Sequence, residues 1–211
     1  PGPNGPGPNR LSLLSRWKIF DNLRRSLVEA AQLLFFVLDW ILLPGAPLRW
    51  TLLGLGAVAA PWILSLLLAI LRPPLDRSWR AYYSAVGLDL VTSAKQVGLA
   101  LVFLPPQAWI SIDAIARTLW RLGISRRRLL EWQTASLVEQ GAVDSPRIAW
   151  RATWPAVAIA GAVLAFVGWR IFAGEPATQA PGWQLGLAVL PLVAAWLAVP
   201  RVARALSRPP A

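Results

Sequence analysis

The chain has 211 residues, 56% of them hydrophobic and only 15% charged, with a mean hydropathy of +0.50. Water-soluble domains carry roughly 25% charged residues, so the deficit argues against one and for a molecule whose outside is as apolar as its inside. With no Cys and no His, disulfides, Cys/His metal centres and Ser-His or Cys-His triads are all excluded.

The net charge is +11, from 21 Lys and Arg against 10 Asp and Glu. Such a balance would also suit a nucleic-acid partner. The basic residues fall outside the apolar runs, however, as the positive-inside rule for membrane proteins requires. No nucleic-acid partner is therefore expected, and the partner implied is the lipid bilayer.

Residues 1–10, opening PGPNGPGP, read as a Pro/Gly linker with no tendency to helix or strand, and as the continuation of something longer. Residues 11–25 follow as an amphipathic helix. Leu13, Trp17 and Phe20 share one face, with Arg16, Lys18, Arg24 and Arg25 beside it. Such a helix lies in the headgroup layer, aromatic rings toward the acyl chains and arginines toward anionic lipid.

The first spanning segment is predicted at residues 26–43. Eleven of its residues are Leu, Ile, Val or Phe, together worth about −5 kcal/mol on the insertion scale. Glu29 and Asp39 oppose insertion, but both lie near the ends, where they are expected to reach the interface. A tight Pro44–Pro47 turn then leads to a second span at 50–71, which carries no charge. Pro61 is expected to kink it, and Gly54 and Gly56 to let another helix approach closely.

Residues 72–151 differ, holding eleven Lys or Arg and six Asp or Glu between amphipathic stretches. They are expected to form a basic cytoplasmic or interfacial helical region. Within it, 96–112 is apolar enough to cross, but Pro105 and Pro106 sit in its middle and would break a spanning helix. Two further spans are predicted at 152–172 and 181–200, followed by a tail at 201–211. Four spans leave 19 of the 21 basic residues on one side. A crossing at 96–112 would expel seven of them, so that segment is expected to be re-entrant or interfacial.

The fold expected is thus an all-α integral membrane protein. It has about four transmembrane helices in two hairpins (26–71 and 152–200), amphipathic interfacial helices between them, and both termini cytoplasmic. Of the 13 Trp residues, Trp40, Trp50, Trp154, Trp169 and Trp183 fall at span ends, where an aromatic belt is expected. Trp79, Trp109, Trp120, Trp132 and Trp150 fall in the basic region, where a belt accounts for them less well.

No phosphate-binding glycine loop, Asp-x-Asp pair, HExxH or GxSxG motif occurs. Asp76, Asp89, Asp113, Glu131 and Glu139 show no spacing that selects a catalytic pair. Capping and pairing with nearby Arg explain them. No catalytic residue and no metal ligand is expected in this chain. Glu29 and Asp39 leave open a second reading, a small multi-span transporter or channel subunit with a proton relay.

Four strings carry a family likeness: LSLLSRWKIFDNLRRSL at 11–27, LLPGAPLRWTLL at 42–53, LPPQAWISIDAIARTLWRLGISRRRLLEWQTA at 104–135, and WLAVPRVARALSRP at 196–209. Through them the chain resembles the membrane region of cyclic β-1,2-glucan synthases, bacterial inner-membrane glycosyltransferases. The resemblance implies a preceding transferase module that uses UDP-glucose and a divalent metal, and a following module that cyclises the glucan. The segment itself then needs no cofactor. It implies an anchoring and aligning role, with the flanking modules as partners and the growing glucan as a candidate partner. Arg16-Trp17 does not correspond to the family's Arg-Trp acceptor motif, because its flanks match the next helix instead. By analogy with cellulose-synthase-like enzymes, Trp109 and Trp120 are candidate glucan contacts, and Arg24, Arg25 and Arg126 candidate docking charges.

Overall fold

A computed structural model describes residues 12–43, 45–72, 78–125, 146–173 and 182–207, and among these every regular element is helical. The elements are α1 (Leu13–Ser26), α2 (Val28–Ile41), α3 (Pro47–Leu71), α4 (Trp79–Val102), α5 (Leu104–Trp120), α6 (Pro146–Ala173) and α7 (Gly182–Leu206). A wider π-helical turn, Arg121–Ser125, prolongs α5. The linker at 1–10, the bulk of the arginine-rich stretch after Ser125, and Arg126, Glu131, Trp132 and Glu139 lie outside the described residues.

Ser12 caps α1, its hydroxyl accepting from the Ser15 amide at 3.2 Å. This satisfies one of the donors that a helix start leaves unpaired. Arg24 and Arg25 close the helix where its dipole favours cations. The chain scarcely breaks at Leu27, whose amide still bonds back to Leu23 and whose carbonyl accepts from Ala31 at 2.8 Å. The helix thus bends from α1 into α2 without a loop. Gly45 makes the next turn in the left-handed region, φ +96°, a conformation open to glycine at little cost. Pro47 then starts α3, where a missing N–H is harmless.

Three helices, α3, α4 and α7, are long and apolar enough to cross a membrane, and α6 contains a shorter apolar stretch, Thr153–Trp169. Their apolar side chains largely face outward. In α3 only Pro47, Thr51 and Gly54 are buried, whereas Leu52, Leu53, Leu64, Leu67 and Leu71 are exposed. In α4 nothing is buried. An outer surface of exposed leucines would aggregate in water and is the solvated state in lipid.

The core lies between α2, α5, α6 and α7, with α3 closing one side and α4 outermost against α3 and α7. Helix α7 gives the core its most regular stripe. Leu185, Ala188, Val189, Leu192, Val193, Trp196 and Val199 recur at three- and four-residue intervals, and all are buried. Phe36 and Trp40 from α2 meet Trp196 at the centre, with the indoles of Trp40 and Trp196 5.7 Å apart. Gly54 faces Phe36 so closely that a Cβ there would stand 2.6 Å from the ring. The close approach expected at Gly54 is therefore present. At Gly56 no atom lies within 4 Å of such a Cβ, so that glycine mediates no contact here.

The apolar segment 96–112 is divided rather than broken in its middle. Helix α4 runs on to Val102, the chain turns at Phe103, and Pro105 and Pro106 form the buried first turn of α5. Proline is suited to a first helical turn, so the pair starts a helix instead of interrupting one. Moreover, residues 79–102 form a single helix with the length and apolarity of a span, inside the region read from sequence as interfacial.

Candidate functional site

Asp39 was expected to reach the interface from a span end. It is instead 0% exposed. The reason is its position beside the Phe36–Trp40 face of α2, which packs inward on α3 and α7. Trp40, expected in an aromatic belt, is likewise buried. The two are tied to α3 through one residue. The Trp40 indole Nε1 donates to Thr51 Oγ1 at 2.9 Å, and Thr51 Oγ1 donates to Asp39 Oδ2 at 2.7 Å. Asp39 Oδ1 is buried without a partner, and no Lys or Arg pairs with the carboxyl among the described residues. Buried polar atoms are normally satisfied, which makes this cluster the most conspicuous polar feature of the core. Glu29 is ten residues away on the same helix, about 15 Å by helical rise. The structure therefore does not bring the two acids together.

A second polar contact crosses the core. Leu101 lies in the last turn of α4, where carbonyls lack a helical donor, and Pro105 four residues on has no N–H to offer. The Trp196 indole supplies a donor beside the Phe103 amide, its Nε1 lying 3.0 Å from Leu101 O. Pro105 signals in the sequence that a carbonyl needs another donor, but nothing in one dimension names Trp196 as the source.

Of the residues singled out from sequence, Arg24 and Arg25 both pair with Asp21, at 2.8 and 2.7 Å, and both guanidinium groups remain exposed. The Arg24 hydrogen bond leads in holding the partly buried Asp21 carboxyl below its usual 3.8, with Arg25 adding to it. Asp113 pairs with Arg117 one turn on, at 2.8 Å, in line with the expected pairing of acids and arginines. Trp109 is half exposed and meets Trp154 edge-on, with ring centroids 5.4 Å apart. Trp120 is exposed at the far end of α5, eleven residues on, or about 16 Å by helical rise. Trp109 and Trp120 thus share a helix but not a site.

Two recesses lie away from these residues. An apolar groove of about 840 Å³ runs between α2, α5 and α6, walled by Leu34, Val37, Ile112, Ile159 and Phe166. A smaller cleft of about 140 Å³ lies between α3 and α4, and polar side chains reach it. Among the described residues no three His, Cys, Asp or Glu side chains converge. The divalent metal that the sequence resemblance implies for a transferase module therefore finds no fitting ligand set among them.

The all-helical fold with its leucine-covered exterior defines a membrane protein of the α-helical class. No family model matches the sequence, and no solved structure matches it. The cyclic beta-(1,2)-glucan synthase NdvB of Rhizobium meliloti (strain 1021) is 38% identical to it over 153 residues. The match covers 72% of this chain and 5% of that protein. The chain is thus related to the cyclic β-1,2-glucan synthase family, and it spans only a small part of that relative's length.

Proposed function

We propose that this chain is the membrane-embedded segment of a glucosyltransferase of the cyclic β-1,2-glucan synthase type. It anchors and aligns the catalytic module that polymerises glucose from UDP-glucose. The observation that carries the reading is the 38% identity over 153 residues to a glucan synthase, in a chain whose outer helices expose leucine as lipid requires. The segment sits in the bacterial cytoplasmic membrane with its arginine-rich ends toward the cytoplasm. It partners the transferase and glucan-cyclising modules and binds no cofactor of its own.

In this reading Arg24 and Arg25 are docking charges for the transferase module. Each keeps its guanidinium exposed while Asp21 fixes its direction. Arg126 belongs to the same set by its place in the family-like string. Trp109 and Trp120 are glucan contacts, because an exposed indole offers a sugar ring a large apolar face beside a polar edge. The Trp109–Trp154 pair presents the larger aromatic surface.

The test is a graft. The corresponding region of the Rhizobium meliloti synthase is replaced by this chain's residues, and cyclic glucan is measured in membranes that contain equal amounts of protein. Restored glucan synthesis is the expected result. A chimera that inserts normally, binds UDP-glucose and makes no glucan would refute the reading.

A further inference from the structure

Helices α3 and α4 form a hairpin whose two arms both have the length and apolarity of a span. Tyr82 fastens it near the connection, its hydroxyl donating to Ala69 O at 2.7 Å. That carbonyl belongs to the last turn of α3, where the backbone leaves acceptors unpaired. Farther along lies the cleft of about 140 Å³, lined by Trp62, Ser65, Asp89 and Ser93 with Leu66 and Leu90 as apolar walls.

Asp89 is ten residues into α4, about 15 Å from its start, so it stands at mid-length of an arm with the length of a span, exposed and at the edge of this cleft. It makes no hydrogen bond or ion pair among the described residues. Carboxylates at such depth are expensive unless they face a polar partner or a wet cavity, and they mark functional positions. The cleft is the polar recess that Asp89 borders, and Leu88 and Val91 beside it on α4 are exposed apolar residues.

The donor and acceptor inventory of the cleft constrains what it takes. Ser65 has already given its hydroxyl proton to Pro61 O at 2.9 Å, so it offers lone pairs. Asp89 offers a carboxylate. No Lys or Arg lines the space, which argues against a phosphate or nucleotide. The Ser93 hydroxyl and the Trp62 indole N–H add donors, so a recess of both donors and acceptors walled by an indole and two leucines suits a neutral ligand whose hydroxyls donate and accept and which carries apolar faces. A pyranose ring is such a molecule. We infer that the α3–α4 cleft holds one glucose unit of a glucan chain, with Trp62 against the ring face and Asp89 accepting from its hydroxyls. This deepens, and rests on, the glucan-synthase reading of the chain.

The experiment measures binding of a β-1,2-linked glucose trisaccharide to the whole chain in lipid nanodiscs by isothermal titration. Expected is measurable affinity, weakened about tenfold or more by Trp62→Ala and by Asp89→Asn, a change of at least 1.4 kcal/mol per tenfold. Trp62→Phe should keep part of the affinity, and Trp183→Ala on the exposed start of α7 all of it. Thermal unfolding of each variant separates lost binding from lost fold. Unchanged affinity in both cleft variants overturns the inference but leaves the glucan reading standing, because the sugar then binds elsewhere. Affinity that falls steeply with salt also overturns it, because a neutral sugar has no such dependence. Absence of any trisaccharide binding overturns it too, and the graft then decides separately whether the broader reading survives.

Discussion

Replacing Trp196 by Phe probes the α4–α5 corner most sharply. The indole is 0% exposed, packs at a tilt against Trp40, and donates to the Leu101 carbonyl in the last turn of α4, to which Pro105 offers no N–H. The substitution removes that donor and part of a buried ring. A lost hydrogen bond of this kind inside a membrane protein costs about 0.6 kcal/mol on average and up to about 1.7. The vacated ring volume adds about 1 kcal/mol, so a total near 2 kcal/mol is expected. The two contributions separate in a double-mutant cycle. Pro105→Ala supplies an N–H four residues after Leu101, so in that background the carbonyl has an alternative to the indole. Trp196→Phe should then cost about 1 kcal/mol less than in the parent, measured by reversible unfolding in bicelles or mixed micelles. Costs that add within about 0.5 kcal/mol would show the two positions to be independent and would refute the account of this corner.

Three further outcomes follow from the packing and the charges. Gly54→Ala places a methyl group 2.6 Å from the Phe36 ring, itself packed against Trp40, and 3.0 Å from that of Phe35. It should destabilise by about 1–3 kcal/mol, while Gly56→Ala should be neutral or stabilising by up to about 1 kcal/mol; equal stabilities in the same unfolding assay would contradict this packing. Asp39→Asn keeps an oxygen for the Thr51 hydroxyl and should be tolerated, whereas Asp39→Ala strands that hydroxyl and should cost about 1–3 kcal/mol. In carbon-detected NMR the Asp21 carboxyl should titrate below 3.8, and Arg24→Gln should return it toward that value. The pairs that Asp21 makes are intact above the unfolded value of 3.8 and are lost as pH falls through the lowered folded value, so the last turn of α1 should loosen only in acid.

How much of this was legible in the sequence depends on the element. The uncharged run through α3 and the stripe of α7 declare themselves by hydropathy, and helices α2, α3, α6 and α7 fall where the apolar runs place them. What hydropathy does not reveal is which side of a membrane helix faces protein. Lipid and core are equally apolar, so Trp40 and Asp39 look like interface residues until Phe36, Thr51 and Trp196 close around them. Pro105 and Pro106 marked the right place for a discontinuity but left its sense ambiguous, because proline both ends and begins helices. Helix α4 was obscured by its three charges, Arg80, Asp89 and Lys95, and by the polar Thr92, Ser93 and Gln96 between its apolar residues. Trp109 and Trp120 looked equivalent by residue type, and only helical rise sets them about 16 Å apart along α5.

The claim beneath all of this is that the exposed leucines of α3 meet hydrocarbon. The chain contains no cysteine, so a single cysteine at Leu64 or Leu67, both exposed on that helix, gives a unique site for a nitroxide label in reconstituted bilayers. The account predicts relaxation enhanced by oxygen, which concentrates in the acyl region, and little effect from a water-soluble nickel chelate. Strong relaxation by the chelate at both positions, with oxygen having no greater effect than in buffer, would place α3 in water and contradict the membrane assignment on which the glucan-synthase role stands.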